Sequence, residues 1–147
     1  MNEPKRGRMM LRSKDVAEML DISISTIRYY EKIGIIPPIE RNANGYRIYT
    51  NSTLNWIYLM KSLRNAGVSI ESLLEFSRLS QVKGPERKKQ KQVLEDQLNE
   101  IEGKIAEMQR VRNLLSYKIE TYDDHIAKFQ SGELTSETAE ELWKVKF

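Results

Sequence analysis

A mainly α-helical protein, with a small domain of short helices ahead of one long helix, is predicted by three features of the sequence. Two short amphipathic segments near the N-terminus are separated only by "DIS". A proline pair and an Asn-Gly dipeptide interrupt the pattern that follows. From Leu94 to Ile126 apolar residues then recur at alternating steps of four and three, the spacing of a coiled-coil seam.

Taken in order, "SKDVAEML" offers Ser13 as an N-cap and places Val16, Ala17 and Leu20 on one helix face. A second helix is expected from about Ile24 to Ile33, capped by Ser23 and closed by Gly34, a residue free to take the left-handed conformation. Pro37 and Pro38 prevent its continuation. Two short helices joined by a three-residue turn make a helix-turn-helix, with small Ala17 at the closest approach and Val16, Leu20, Ile22, Ile27 and Tyr30 as its apolar filling. The turn position that prefers glycine holds Asp21, a residue that tolerates positive φ.

In "IERNANGYRIYT", Asn44-Gly45 signals a tight hairpin, and so a wing. Its alternation sends Arg47 and Tyr49 to the face opposite Tyr46 and Ile48. Helices over Ser52–Ala66 and from Ser69 to about Gln81 follow, with Leu54, Ile57, Met60, Leu63, Val68, Leu73 and Leu74 as core.

The seam runs through Leu94, Leu98, Ile101, Ile105, Met108, Arg112, Leu115, Ile119, Tyr122 and Ile126. At about 1.5 Å per residue it is roughly 50 Å long, too long and narrow to bury on so small a domain, so a second copy of the chain is the expected partner. Arg112 has two readings, a register pin in the dimer seam or a side chain that snorkels to water. The organisation expected is a basic tail over 1–10, a winged helix-turn-helix domain over 11–82, a coiled-coil dimerisation helix over 83–129 and a short C-terminal helix over 130–147.

Composition removes whole classes of function. The 147 residues include no cysteine and one histidine, His125, which excludes disulfides and thiol chemistry and disfavours zinc sites and Ser-His-Asp catalysis. No metal, cofactor or catalytic residue is expected. No apolar run reaches the length of a bilayer and the N-terminus lacks a signal peptide's apolar segment, so a cytoplasmic, non-membrane protein is expected. Net charge is uneven: residues 1–66 hold 11 Lys/Arg against 6 Asp/Glu, and the remainder 13 against 15. Positive charge therefore gathers in the half that carries the helix-turn-helix, the sign a phosphate backbone selects.

With Ile27, Tyr30 and Ile33 turned inward, the second helix presents Ser25, Thr26, Arg28, Tyr29 and Lys32 outward. Hydroxyls, a guanidinium and a phenol at a helix start suit DNA phosphates and base edges. Arg41, Tyr46 and Arg47 around the wing turn extend that surface toward a phosphate backbone.

These segments resemble the bacterial MerR-type transcriptional regulators. "LRSKDVAEMLDISISTIRYYEKIGIIPP", "RNANGYRIYT" and "MKSLRNAGVSIESLLEF" stand in the family's order and spacing, and the resemblance covers the chain from about Leu11 to Ile126. It implies a winged-helix DNA-binding domain on a long helix that pairs antiparallel in a homodimer. It implies DNA contacts from Ser25, Thr26, Arg28, Tyr29, Arg41, Tyr46 and Arg47, with Lys61 and Arg64 added on the third helix. It also implies a palindromic site in an overlong promoter spacer, which the dimer bends and untwists so that RNA polymerase engages both promoter elements.

Departures from the family narrow the sensing mode. Cysteines used by metal- and redox-sensing members are absent, and the lone cysteine of an aldehyde-responsive branch is replaced by Ser62. About twenty residues follow the coil, too few for the large domain of drug-sensing members. An unidentified small-molecule effector remains open. The alternative function is an architectural, excisionase-like DNA-bending protein with no effector response; the sustained coil argues against it.

Overall fold

The computed structural model describes residues 11–147, so the predicted basic tail over 1–10 lies outside the described residues. The described residues form five α-helices: α1 Ser13–Leu20, α2 Ile24–Ile33, α3 Asn51–Asn65, α4 Ile70–Ser80 and α5 Lys88–Ser131. The described residues contain no strand. No helix among them is long and apolar enough to cross a membrane. The chain divides into a compact unit up to Gln97 and a second from Leu98 to Phe147.

The first unit is a helical lobe built on one apolar cluster. Val16 of α1, Ile27 and Tyr30 of α2, Ile57 and Met60 of α3, and Leu73 and Phe76 of α4 are all buried in it. Three helices begin where a side-chain oxygen replaces a missing backbone acceptor: Ser23, Thr50 and Ser69 accept from the amides of Thr26, Thr53 and Ser72. At α1 the cap is Arg12, not the predicted Ser13; its amide donates to the Asp15 carboxylate at 3.0 Å. Ser13 is instead the first helical residue, its hydroxyl 2.7 Å from that of Tyr49.

Asp21 takes the left-handed conformation, φ 49°, that the turn requires. Its neighbour Leu20 offers a terminal helix carbonyl to the Lys61 ammonium at 2.6 Å, so a charge on α3 offsets the negative end of α1. Gly34 closes α2 at φ 90°. The amides of Gly34, Ile35 and Ile36 then all reach the Tyr30 carbonyl, folding Ile35, Ile36 and Ile39 into the core. Those three isoleucines escape a helical pattern search because they lie in a loop beside prolines.

The wing forms the predicted tight turn: the Gly45 amide donates to the Asn42 carbonyl at 3.0 Å, the Asn42 amide to the Tyr46 carbonyl at 2.9 Å and the Ile48 amide to the Glu40 carbonyl at 2.7 Å. Only a single antiparallel bridge, Arg41 to Arg47, links its two sides. Asn42 organises the turn, its side-chain oxygen accepting the amides of Asn44 and Tyr46 at 3.0 Å each. Gly45 supplies the positive φ of 82°. An Asx-type turn thus reinforces the backbone bonds of the tight turn.

The first turns of α5 belong to this unit. Val93 packs on the core, and Gln90 and Gln97 bond to the Phe76 carbonyl and the Ser72 hydroxyl.

In the second unit, α5 carries the predicted stripe. Leu98, Ile105, Met108, Leu115, Ile119, Tyr122 and Ile126 are exposed, as is Leu94 earlier on the helix, and Ile119 is 76% accessible. Phe129 continues the stripe at the next step and is also exposed. Ile101 is half-buried and Arg112 exposed.

Beyond Ser131 the predicted C-terminal helix does not form. Gly132 leaves the helix at φ 81°, Thr135 and Thr138 close a local turn, and a three-residue 3-10 turn over Leu142–Lys144 is the only helical piece. The segment is held by side chains on a flank of α5 about 100° round from the stripe. Glu140 accepts from Tyr117 and from Lys118 Nζ at 3.0 Å and lies 3.5 Å from His125 Nδ1. Phe147 packs against Tyr117 with the rings tilted by 57° and their centroids 5.6 Å apart, while Trp143 stays 78% exposed.

The Tyr117 hydroxyl, then Lys118, hold the Glu140 carboxyl below the ordinary carboxylate value of 4.5. A lowered value means this clasp contributes fully above that ordinary value and is lost as the pH falls through the lowered one. Hydrogen-exchange protection at the Lys144 and Val145 amides is therefore expected to disappear on acidification below the carboxylate range, and at neutral pH in Glu140→Gln. Unchanged protection in Glu140→Gln contradicts the clasp.

Candidate nucleic-acid interface

The outward face of α2 is fixed by its inward one. Ile27 and Tyr30 are buried at 1% and 7% exposure, so residues one and two positions away, at about 100° per step, point to solvent. Ser25, Arg28, Tyr29 and Lys32 are exposed, with Tyr29 at 48%. Its ring leans on Tyr30 at 6.2 Å between centroids and 48° between planes, which orders the aromatic without hiding it. Thr26 is half-buried, and its hydroxyl lies 2.6 Å from the capping Ser23 hydroxyl. Thr26 thus shapes the helix start as well as lining the surface.

The cations divide into two groups. Arg28, Lys32, Arg12, Lys14 and Arg41 pair with no carboxylate among the described residues. Arg41 donates only to the Gly45 carbonyl, at 2.9 Å. Arg47, Lys61 and Arg64 are committed within the lobe. Arg47 donates through Nε and Nη2 to one oxygen of Glu31, at 3.3 and 3.1 Å. Lys61 is held by the Leu20 carbonyl and stands 4.0 Å from Asp21, and Arg64 donates to the Val68 carbonyl at 3.1 Å.

The wing side chains part in the predicted sense. Tyr46 is 68% exposed at the tip, whereas Tyr49 is buried and Arg47 lies inward. The start of α1 comes alongside: Arg12, Ser13 and Lys14 line a cavity of about 730 Å³ with Tyr46 and Arg47. Arg12 and Lys14 therefore join the basic surface, as does Glu31 in a supporting role. The sequence signal for the two cations was their place at a helix start. None marked Glu31, whose partner lies 16 residues away.

Hydroxyl, guanidinium, ammonium and phenol donors on one helix face, with an exposed phenol at the adjoining turn, form a set that phosphate oxygens and base edges accept. No group of His, Asp or Glu among the described residues is arranged to hold a metal ion.

Residues 12–49 match the model of the MerR family regulatory protein. The uncharacterized HTH-type transcriptional regulator YyaN of Bacillus subtilis is 35% identical over 72% of this chain and 86% of its own length. The chain belongs to the MerR family. A second relative, the HTH-type transcriptional regulator AdhR of Bacillus subtilis, is 44% identical, but the chain spans only 46% of its length and 44% of this chain is aligned. Among solved structures, HiNmlR, a MerR family regulator lacking the sensor domain, bound to promoter DNA, superposes with a TM-score of 0.71 at 29% identity, covering 81% of this chain and 94% of that one.

The matched MerR segment contains Ser25, Thr26, Arg28, Tyr29, Arg41, Tyr46 and Arg47, whereas Lys61 and Arg64 lie beyond it. The lobe's own bonds draw the same line except at Arg47, which lies within the segment but is committed to Glu31. Lys61→Ala removes a charged donor from a half-buried helix terminus and is expected to lower unfolding free energy by roughly 1–2 kcal/mol. Arg28→Ala removes no intramolecular partner and leaves stability within about 0.5 kcal/mol. Urea denaturation of both variants checks the pair; equal losses contradict the division.

Proposed function

We propose that this MerR-family protein is a cytoplasmic, non-enzymatic transcriptional regulator that binds a palindromic promoter site as a homodimer and acts by bending and untwisting the DNA. The observation that carries the reading is the outward face of α2, where Arg28, Tyr29 and Lys32 are exposed and unpaired among the described residues. Arg28 and Tyr29 reach base edges and phosphates, while Arg41 and Tyr46 meet the backbone beside the groove. Arg12 and Lys14 add phosphate contacts. Binding of HiNmlR, a structurally similar relative, to promoter DNA supports the choice of ligand.

The dimer reading rests on the exposed stripe of α5. An antiparallel partner covers Leu98, Ile105, Leu115, Ile119 and Ile126 and leaves Arg112 as the single charged position in the seam. Two lobes on one coil then address two half-sites, and strain imposed on the DNA between them is the signal read by RNA polymerase. With no cysteine in the chain, any effector acts without thiol chemistry.

Fluorescence anisotropy with a duplex from the region upstream of the gene tests the ligand. Observed affinity should fall steeply with salt, each neutralised phosphate contributing about 0.9 to the logarithmic slope. Arg28→Ala is expected to weaken binding about tenfold or more, and Lys88→Ala to leave it unchanged. Salt-independent binding, or equal effects of the two variants, counts against the proposal.

Ile119→Lys places a charge in the seam and is expected to convert the dimer to monomer in sedimentation. A wild-type protein that sediments as a monomer contradicts the shared coil.

A further inference from the structure

Between its buried ends the wing has little to hold it in place. Among the described residues it contains no strand and one bridge, and the bonds of its turn run within residues 40–48: Asn42 to Asn44 and Tyr46, Arg41 to Gly45, Ile48 to Glu40. Such bonds shape a turn but do not orient it against α2. Ile39 and Tyr49 anchor its two ends in the core, Tyr49 also through Ser13, and neither reaches the residues between them.

One α2 side chain spans the gap. Glu31 accepts the Ile39 amide on Oε2 at 2.7 Å, where the wing segment begins, and the Arg47 guanidinium on Oε1 at 3.1 Å, where it returns. Both side chains are shielded, 18% and 19% exposed, so solvent screens the pair less than it screens a surface ion pair. Glu31 follows Tyr29 and Arg28 on the same helix, so a carboxylate stands beside a surface that otherwise gathers cations. Coulomb's law alone disfavours that placement next to phosphates.

We infer that Glu31 is a positioning residue: it fixes the angle of the wing to α2 through Ile39 and Arg47, and Arg47 serves DNA binding through Glu31 rather than as a phosphate contact of its own. The inference rests on the reading that α2 and the wing address one duplex. Its sign is distinctive. If the acid were incidental, removing its charge would raise DNA affinity and release Arg47 to neutralise a phosphate, steepening the salt slope by about one. If it positions the wing, removing the charge lowers affinity.

Glu31→Gln tests this in the full chain, because the amide keeps an acceptor for the Ile39 amide while losing the charge that holds Arg47. Without DNA, hydrogen exchange at the Tyr46 and Ile48 amides should accelerate about tenfold or more, with Ile57 and Met60 in α3 unchanged. With the upstream duplex, the dissociation constant should rise about tenfold at an unsteepened salt slope. Arg47→Gln should reproduce both effects, and the double variant should be no worse than either single one, since both remove the same link. Unaltered wing exchange, tighter binding with a steeper slope, or additive losses would overturn the inference. Should the wild type bind no duplex while the wing exchange responds, the DNA reading fails and the positioning role of Glu31 stands.

Discussion

Burial of the inner face of α2 is the constraint on which the first unit turns. Ile27 and Tyr30 enter a core shared with Val16, Ile57 and Met60, at about 1.5–3 kcal/mol for each fully buried large side chain. The Tyr30 carbonyl then gathers three successive amides after Gly34, so the helix end and the loop that leads to the wing are fixed together. Once those positions face inward, helical geometry leaves Ser25, Arg28, Tyr29 and Lys32 no inward alternative. The surface read as functional is thus a by-product of packing, with its rotation set by residues that never touch a ligand.

Charge is sorted by the same lobe. Lys61 and Arg64 spend their donors on backbone carbonyls, and Arg47 spends its own on Glu31. Of the cations up to Arg64 among the described residues, the uncommitted ones, Arg12, Lys14, Arg28, Lys32 and Arg41, lie on α2, the wing and the start of α1, while Lys83, Arg87 and Lys88 stand free ahead of α5. In the second unit the opposite holds for apolar surface. The C-terminal segment covers one flank of α5 through Glu140 and Phe147, yet the neighbouring stripe from Leu98 to Ile126 stays bare, and in the proposed dimer that bare stripe is what a second copy covers.

The parts of this architecture legible in the sequence are those written locally. Ser23 and Gly34 bound α2 at the residues expected, because an N-cap oxygen and a left-handed glycine act within a turn of where they stand. The apolar stripe of α5 is equally plain, since its period depends on one helix alone. The Asn44-Gly45 pair marks the wing's tight turn, where Gly45 takes a φ of 82°, while the side-chain bonds by which Asn42 braces that turn carry no dipeptide signal. The expected C-terminal helix fails where Gly132 breaks the chain and docking through Glu140 outweighs the weak helical preference of a short segment. Glu31 and the true engagement of Lys61 were invisible for a simpler reason. Their partners lie 16 and 41 residues away, and pairing of that range is set by the fold.

The central claim is that the outward face of α2 and the tip of the wing form one surface for duplex DNA. Amide and side-chain NMR shifts, recorded while an upstream duplex is titrated into the protein, test it most directly. The account predicts that perturbations concentrate at Ser25, Arg28, Tyr29, Lys32, Arg41 and Tyr46 and spare the acidic face of α4 around Glu71 and Glu75. Perturbations centred on α4, with Arg28 and Tyr29 unmoved at saturation, would contradict it.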